Sequence, residues 1–123
     1  MKYGLLGIGQ AGLRHYEAFK KIKGLKLIGF TDNDVTKAKK FESKNNIKYF
    51  NDLKELLKLR PNFIIIALPH FLREKPILEC CKSNINLLIE KPLVLNINEL
   101  KLIKKSVLKK SLTHSISFVH RYR

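Results

Sequence analysis

Short apolar runs alternate with segments of helical period along the chain, a pattern that predicts a parallel sheet with helices on both faces. Residues 2–8, 25–31, 47–50, 63–68, 85–89 and 115–119 read as six strands. Between the first two, residues 11–23 place Ala11, His15, Ala18, Phe19 and Ile22 on one helical face, and residues 34–45 then turn Val35, Ala38 and Phe41 inward. Gly24 and Asn46 end these helices, since both residue types accept the left-handed conformation of a helix terminus. Asn51 caps a third helix through Leu59, with Leu53, Leu56, Leu57 and Leu59 as its buried stripe, and Arg60-Pro61 breaks it. The run Phe63-Ile64-Ile65-Ile66-Ala67-Leu68 has no polar position, as expected of a central parallel strand covered on both sides. A helix over about 72–82 tolerates Pro76 in its first turn, where no N–H is required. Asn96 or Asn98 caps a last helix to about residue 110.

Length and composition narrow this picture. With 123 residues, 45% of them hydrophobic, the chain suits one domain spanning residues 1–123 around a single core. Its longest apolar run, residues 63–68, is far too short to cross a bilayer, and the N-terminus enters a strand directly, without a secretory hydrophobic region. A cytoplasmic protein with no membrane partner is expected. Cys80 and Cys81 are adjacent, which excludes an ordinary loop-closing disulfide and metal-ligand spacing, so both read as apolar packing in a helix. His114 and His120 have no partner spacing, and no metal site is expected.

The net charge of +15, from 25 Lys and Arg against 10 Asp and Glu, raises nucleic acid as a partner. The distribution argues against it. Lysines are scattered over every element without aromatic interleaving, and arginine is confined to Arg14, Arg60, Arg73, Arg121 and Arg123. Weak, salt-sensitive association with polyanions follows from charge alone, and specific nucleic-acid recognition does not.

The candidate chemistry begins at Gly7-Ile8-Gly9-Gln10-Ala11-Gly12, which follows the first strand, opens the first helix, and precedes Asp32 by twenty positions. This is the layout of a dinucleotide-binding βαβ unit. Its glycines meet three separate demands: a tight turn, approach of a pyrophosphate to bare backbone, and close helix–strand packing. Helix-start N–H groups and the positive end of the helix dipole then receive phosphate charge. The fold class expected is a Rossmann-type doubly wound α/β domain with a mainly parallel, six-stranded sheet and helices on both faces.

Further along, the chain resembles the Gfo/Idh/MocA group of oxidoreductases over essentially its whole length. The carriers are residues 4–12 with Arg14-His15, Asp32 after the second strand, Ala67-Leu68-Pro69-His70 after the fourth, and Leu88-Ile89-Glu90-Lys91-Pro92-Leu93 after the fifth. The resemblance implies tight binding of NAD or NADP and oxidation or reduction of sugars, inositols and related polyols. It implies that Gly7, Gly9 and Gly12, with the Ile8, Gln10 and Ala11 backbone, hold the pyrophosphate. Asp32 would accept the adenosine ribose hydroxyls and oppose a 2'-phosphate, by about 4 kcal/mol per charge pair at about 4 Å and an effective dielectric near 20. Asn33 follows where NADP-preferring relatives often carry arginine, so NAD is the favoured cofactor, although Lys37 and its neighbours soften the discrimination.

Leu68, Pro69 and His70 would line the ribose and nicotinamide side, with His70 equally readable as a helix cap; His15 reads as a packing or capping residue. Glu90 and Lys91 would sit beside the nicotinamide, and Lys91 is the candidate catalytic residue, a cation that stabilises the developing alkoxide as hydride leaves. Two departures stand out. Arg73 occupies a position where many relatives have histidine, and the chain stops at residue 123, where relatives begin a second, substrate-binding domain that carries an acid–base Asp and His. Cofactor binding with little turnover by the chain alone is therefore expected, with a sugar or polyol as substrate only if a second domain is supplied. Apolar surface left on the carboxyl edge favours a homodimer or a partner subunit. A non-catalytic nucleotide sensor or scaffold is the alternative; retention of Glu90-Lys91 favours enzyme ancestry.

Overall fold

The computed structural model describes residues 1–118. Its strands are β1 (Lys2–Leu6), β2 (Lys26–Thr31), β3 (Phe63–Ile66), β4 (Asn86–Glu90) and β5 (His114–Ser117). They form one sheet in the order β2-β1-β3-β4-β5, every pair parallel. The helices are α1 (Gln10–Phe19), α2 (Val35–Asn45), α3 (Leu53–Lys58), α4 (Glu74–Lys82) and α5 (Ile97–Lys109), with a 3-10 turn at His70–Leu72.

Both faces of the sheet are covered, as the unbroken apolar run at β3 requires. Alternate residues of β3 serve different cores. Ile64 and Ile66 join Leu56, Ile77, Cys80 and Ile103 beneath α3, α4 and α5. Ile65 joins Tyr3, Leu5, Phe30 and Ala38, with Tyr16, Phe19 and Phe41 from α1 and α2 packed against them. Burying each such isoleucine contributes roughly 1.5–3 kcal/mol, so the centre of the sheet anchors both layers. Cys80 and Cys81 are buried free thiols; burial pushes both pKa values upward, which leaves them protonated packing groups.

The expected sixth strand is absent as a strand. Residues 47–50 make a single parallel bridge, Phe30 to Tyr49, held by Phe30 N–H on Lys48 O at 3.1 Å and Phe50 N–H on Phe30 O at 2.9 Å. Four residues between the left-handed Asn46 and the turn at Asn51 leave too little extended chain for a longer ladder at this edge. The described sheet therefore has five strands. The last strand was expected over 115–119 and lies at His114–Ser117, Val119 being outside the described residues.

Helix ends account for the other corrections. α1 stops at Phe19, and Lys21 and Ile22 turn back onto Ala18 and Phe19 by tight three-residue bonds. Ala18 and Ile22 are consequently exposed. Val35 is exposed in the first turn of α2, because Asp34 is its cap and accepts from Lys37 N at 3.0 Å. Asp52, not Asn51, caps α3, which ends before Leu59 and leaves that leucine 47% exposed. Asn46 does take the left-handed conformation, Asn96 caps α5, and Pro76 lies in the first turn of α4.

Candidate functional site

The chain runs outward from β1 to β2 and then returns to β3 on the other side of β1, so the sheet order reverses between β1 and β3. Open α/β sheets bind ligands at the carboxyl ends of strands beside such a reversal. Residues 7–12 lie there. Gly7 has φ +87°, a conformation L side chains rarely adopt, and its N–H is fixed on Thr31 O at 2.9 Å.

The other two glycines divide their work. A Cβ on Gly12 would stand 1.9 Å from Gly7 O, so its absence lets α1 press onto the turn. A Cβ on Gly9 would meet nothing within 4 Å. That space fronts the start of α1, whose cap at Gly9 uses no side chain and whose first turn has no acidic residue. The first amides of a helix lack intrahelical acceptors, so those of Gln10 and Ala11 are suited to an anion.

Asp32 stands at the end of β2 and faces the same turn. Its Oδ2 accepts from Ile8 N at 2.8 Å and its Oδ1 from Asp34 N at 2.9 Å. The Ile8 amide, assigned from sequence to the pyrophosphate, is thus engaged by Asp32. A carboxylate has about four acceptor positions, so capacity for ribose hydroxyls remains. Lys37 Nζ lies 3.9 Å from Oδ2, close enough to offset part of the carboxylate's field.

Beside Asp32 opens a cleft of about 510 Å³, to which Asn33 and Leu68 contribute along with Leu6, Asn51, Phe71 and Leu72. Sequence reasoning did not single out Phe71 or Leu72, which continue the loop after β3; Phe71 is 71% exposed. Pro69 is exposed at the cap of the 3-10 turn, and the half-buried His70 ring rests edge-on against Phe71 at 5.4 Å. Neither Pro69 nor His70 lines this cleft.

The end of β4 forms the second part of the site. Glu90 Oε1 is 2.7 Å from His15 Nε2, each side chain only 13% and 12% exposed respectively, so His15 ties α1 to the end of β4. Lys91 follows, exposed, before a cis peptide bond to Pro92. Arg73, buried at the start of α4, reaches both loops through its guanidinium. Burial lowers its pKa from the ordinary value, and the Glu90 charge opposes that shift. No group of three or more His, Cys, Asp and Glu among the described residues is arranged to hold a metal ion. No helix among the described residues is long and apolar enough to cross a membrane.

A parallel sheet with a glycine turn at its reversal, an open helix start and a carboxylate closing the second strand define a dinucleotide-binding α/β protein of the Rossmann type. More particularly, the chain belongs to the Gfo/Idh/MocA family, described as an oxidoreductase family with an NAD-binding Rossmann fold, whose model matches residues 1–118. It is similar to glucose-6-phosphate 3-dehydrogenase of Bacillus subtilis (strain 168), 27% identical over 121 residues, which are 98% of this chain and 34% of that protein. In fold it resembles myo-inositol 2-dehydrogenase from Lactobacillus plantarum, with a TM-score of 0.91 at 21% identity over 100% of this chain and 38% of the other. It also resembles the WlbA dehydrogenase of Chromobacterium violaceum, solved with NADH and UDP-GlcNAcA, with a TM-score of 0.87 at 19% identity over 94% and 34% of the two chains. The chain spans about a third of the length of these relatives. It is an NAD-binding domain of that oxidoreductase family, similar in sequence to a sugar-phosphate dehydrogenase and in fold to an inositol dehydrogenase.

Proposed function

We propose that residues 1–123 are the NAD-binding domain of an oxidoreductase that transfers hydride to or from a sugar, inositol or related polyol. The observation that carries this reading is the open space at Gly9, bordered by the start of α1 and adjoining a turn that Asp32 holds. Glycine there leaves room for a pyrophosphate, while Gly7 and Gly12 meet local backbone demands. The Asp32 carboxylate, with acceptor capacity left, would take the adenosine ribose hydroxyls, and the cleft lined by Asn33 and Leu68 would take the adenosine end. A negative charge at that place favours NAD over NADP, with Lys37 moderating the preference.

The nicotinamide, when bound, supplies the hydride acceptor or donor. The loop after β3, carrying Pro69 and His70, and the end of β4 with the residue that follows, Glu90 and Lys91, would form its end of the site. Glu90 is held by His15, which leaves Lys91 as the exposed cation of this loop and the catalytic candidate. Its ammonium would donate a hydrogen bond to the carbinol oxygen and stabilise the charge that develops there as hydride leaves. Taken alone, these 123 residues are proposed to bind cofactor with little turnover, since the family places its acid–base Asp and His in a second domain. A cytoplasmic location and a homodimer or partner subunit complete the proposal; Phe71 and Leu95, both 71% exposed, follow the ends of β3 and β4 and supply apolar surface for such contact.

NADH titration followed by nicotinamide fluorescence tests the reading. Wild type should bind at one site, and Gly9→Val should lose binding while keeping its circular dichroism. Equal binding by both proteins would contradict it.

A further inference from the structure

Arg73 is 4% exposed and is the one charged side chain in the buried set of the described residues. No carboxylate lies within ion-pairing distance of it among those residues. Its donors go instead to three backbone carbonyls. Nε donates to Leu68 O at 2.6 Å, and Nη1 donates to both Glu90 O and Pro92 O. Leu68 belongs to the loop leaving β3, whereas Glu90 ends β4 and Pro92 lies in the loop that follows, so the two bracket Lys91.

Removing a guanidinium from water is costly unless its donors are met, and an apolar side chain would fill the same space without that cost. Retention of the charge therefore calls for something only its geometry provides. A planar guanidinium fixes the directions of its N–H groups, so it can hold separate carbonyls in one arrangement; the single ammonium of a lysine cannot. The side chain of Glu90 is meanwhile anchored to α1 through His15. Residue 90 is thus held through its carbonyl by α4 and through its carboxylate by α1, while the next residue, Lys91, remains exposed.

From this arrangement we infer that Arg73 is a positioning residue for Lys91, locking the loop after β3 to the loop after β4 and fixing the nicotinamide end of the site. The inference rests on the cofactor reading proposed above. It assigns Arg73 no contact with the cofactor. Its effect is to set where Lys91 stands relative to Leu68, Pro69 and His70.

The test compares wild type with Arg73→Gln and Arg73→Lys in the same chain. Hydrogen–deuterium exchange is followed in peptides covering residues 67–72 and 90–95, and Kd is measured for NADH and for ADP-ribose, which lacks the nicotinamide. Arg73→Gln should speed exchange in both loops together by about ten-fold or more, with the peptide over residues 7–13 unchanged. It should weaken NADH by about ten-fold, return its emission towards that of the free cofactor, and leave ADP-ribose within about two-fold. Arg73→Lys should fall between these limits, and it carries the comparison if Arg73→Gln does not fold. Unchanged exchange in both loops of a folded variant, or equal weakening of NADH and ADP-ribose, would overturn the inference. Wild type that binds neither ligand would overturn the cofactor reading, and the exchange result then decides the loop tie by itself.

Discussion

Alanine at Gly12 and alanine at Gly9 should have opposite consequences, although both positions belong to one motif. At Gly12 the new methyl meets a backbone carbonyl at 1.9 Å and a backbone carbon at 3.0 Å, neither of which can rotate away. Relief requires α1 to move roughly 1 Å off the turn, and such overpacking costs about 3 kcal/mol, the upper end of its usual range. Alanine's better helix propensity returns roughly 1 kcal/mol, for a net loss of about 2 kcal/mol, or a fall in Tm of roughly 8 °C. At Gly9 the new methyl meets no other part of the fold within 4 Å, and the residue's φ of −68° suits alanine. Loss of a glycine cap and reduced unfolded-state entropy nearly cancel there, so stability should stay within about 1 kcal/mol. The same methyl would intrude on the pyrophosphate and disturb one charge-assisted hydrogen bond, about 1.5–3 kcal/mol, which is roughly 10- to 150-fold in Kd. Urea denaturation and calorimetric NAD titration of both variants read the two effects separately. Equal destabilisation by the two substitutions, or undiminished NAD affinity in Gly9→Ala, would refute this division of labour.

Three further outcomes are expected. A double-mutant cycle of His15→Ala and Glu90→Gln should give a coupling of about 1–3 kcal/mol in urea denaturation, because the 2.7 Å contact is largely shielded from water; additive effects would contradict it. Leu56→Ala, at a fully buried position, should cost about 2–5 kcal/mol, whereas Leu59→Ala should stay within about 1 kcal/mol; comparable losses in thermal denaturation would count against the end assigned to α3. Burial, with a smaller contribution from Tyr16, raises the Tyr3 pKa from 10.0 to about 12, and its hydroxyl has no partner among the described residues. The folded value exceeds the unfolded one, so this stability is whole below pH 10 and is lost as pH rises towards 12, by up to about 1.4 kcal/mol per unit; Tyr3→Phe should be flatter than wild type in urea stability between pH 9 and 11, and parallel profiles would contradict the assignment.

What could be read from the chain were features with local causes. The polar-free run at β3 announced burial on both faces, and Asn46, Pro76 and Asn96 marked helix ends through their own backbone and side-chain preferences. The glycine spacing located the turn, and Gly12 proved to be the position where helix and turn touch. Apolar content in residues 47–50 suggested a strand, but pairing depends on how much extended chain faces β2, and only one bridge forms. Ile22, Val35 and Leu59 fit their apolar stripes by period and are exposed because the helices begin or end beside them. The site's tertiary ties had no local signature. His15 and Glu90 are 75 positions apart, and Arg73 reaches carbonyls 17 and 19 positions away. The one hint was an arginine at the start of α4 where resemblance led to the expectation of histidine.

In the function proposed for this chain, the turn at Gly7–Gly12 and the Asp32 carboxylate together make an NAD site. Calorimetric titration of wild type and Asp32→Ala with NAD and with NADP tests it most directly. Wild type should bind one NAD, more tightly than NADP, and Asp32→Ala should weaken NAD and narrow or reverse that preference. No heat with either cofactor, or an NADP preference already present in wild type, would contradict the account.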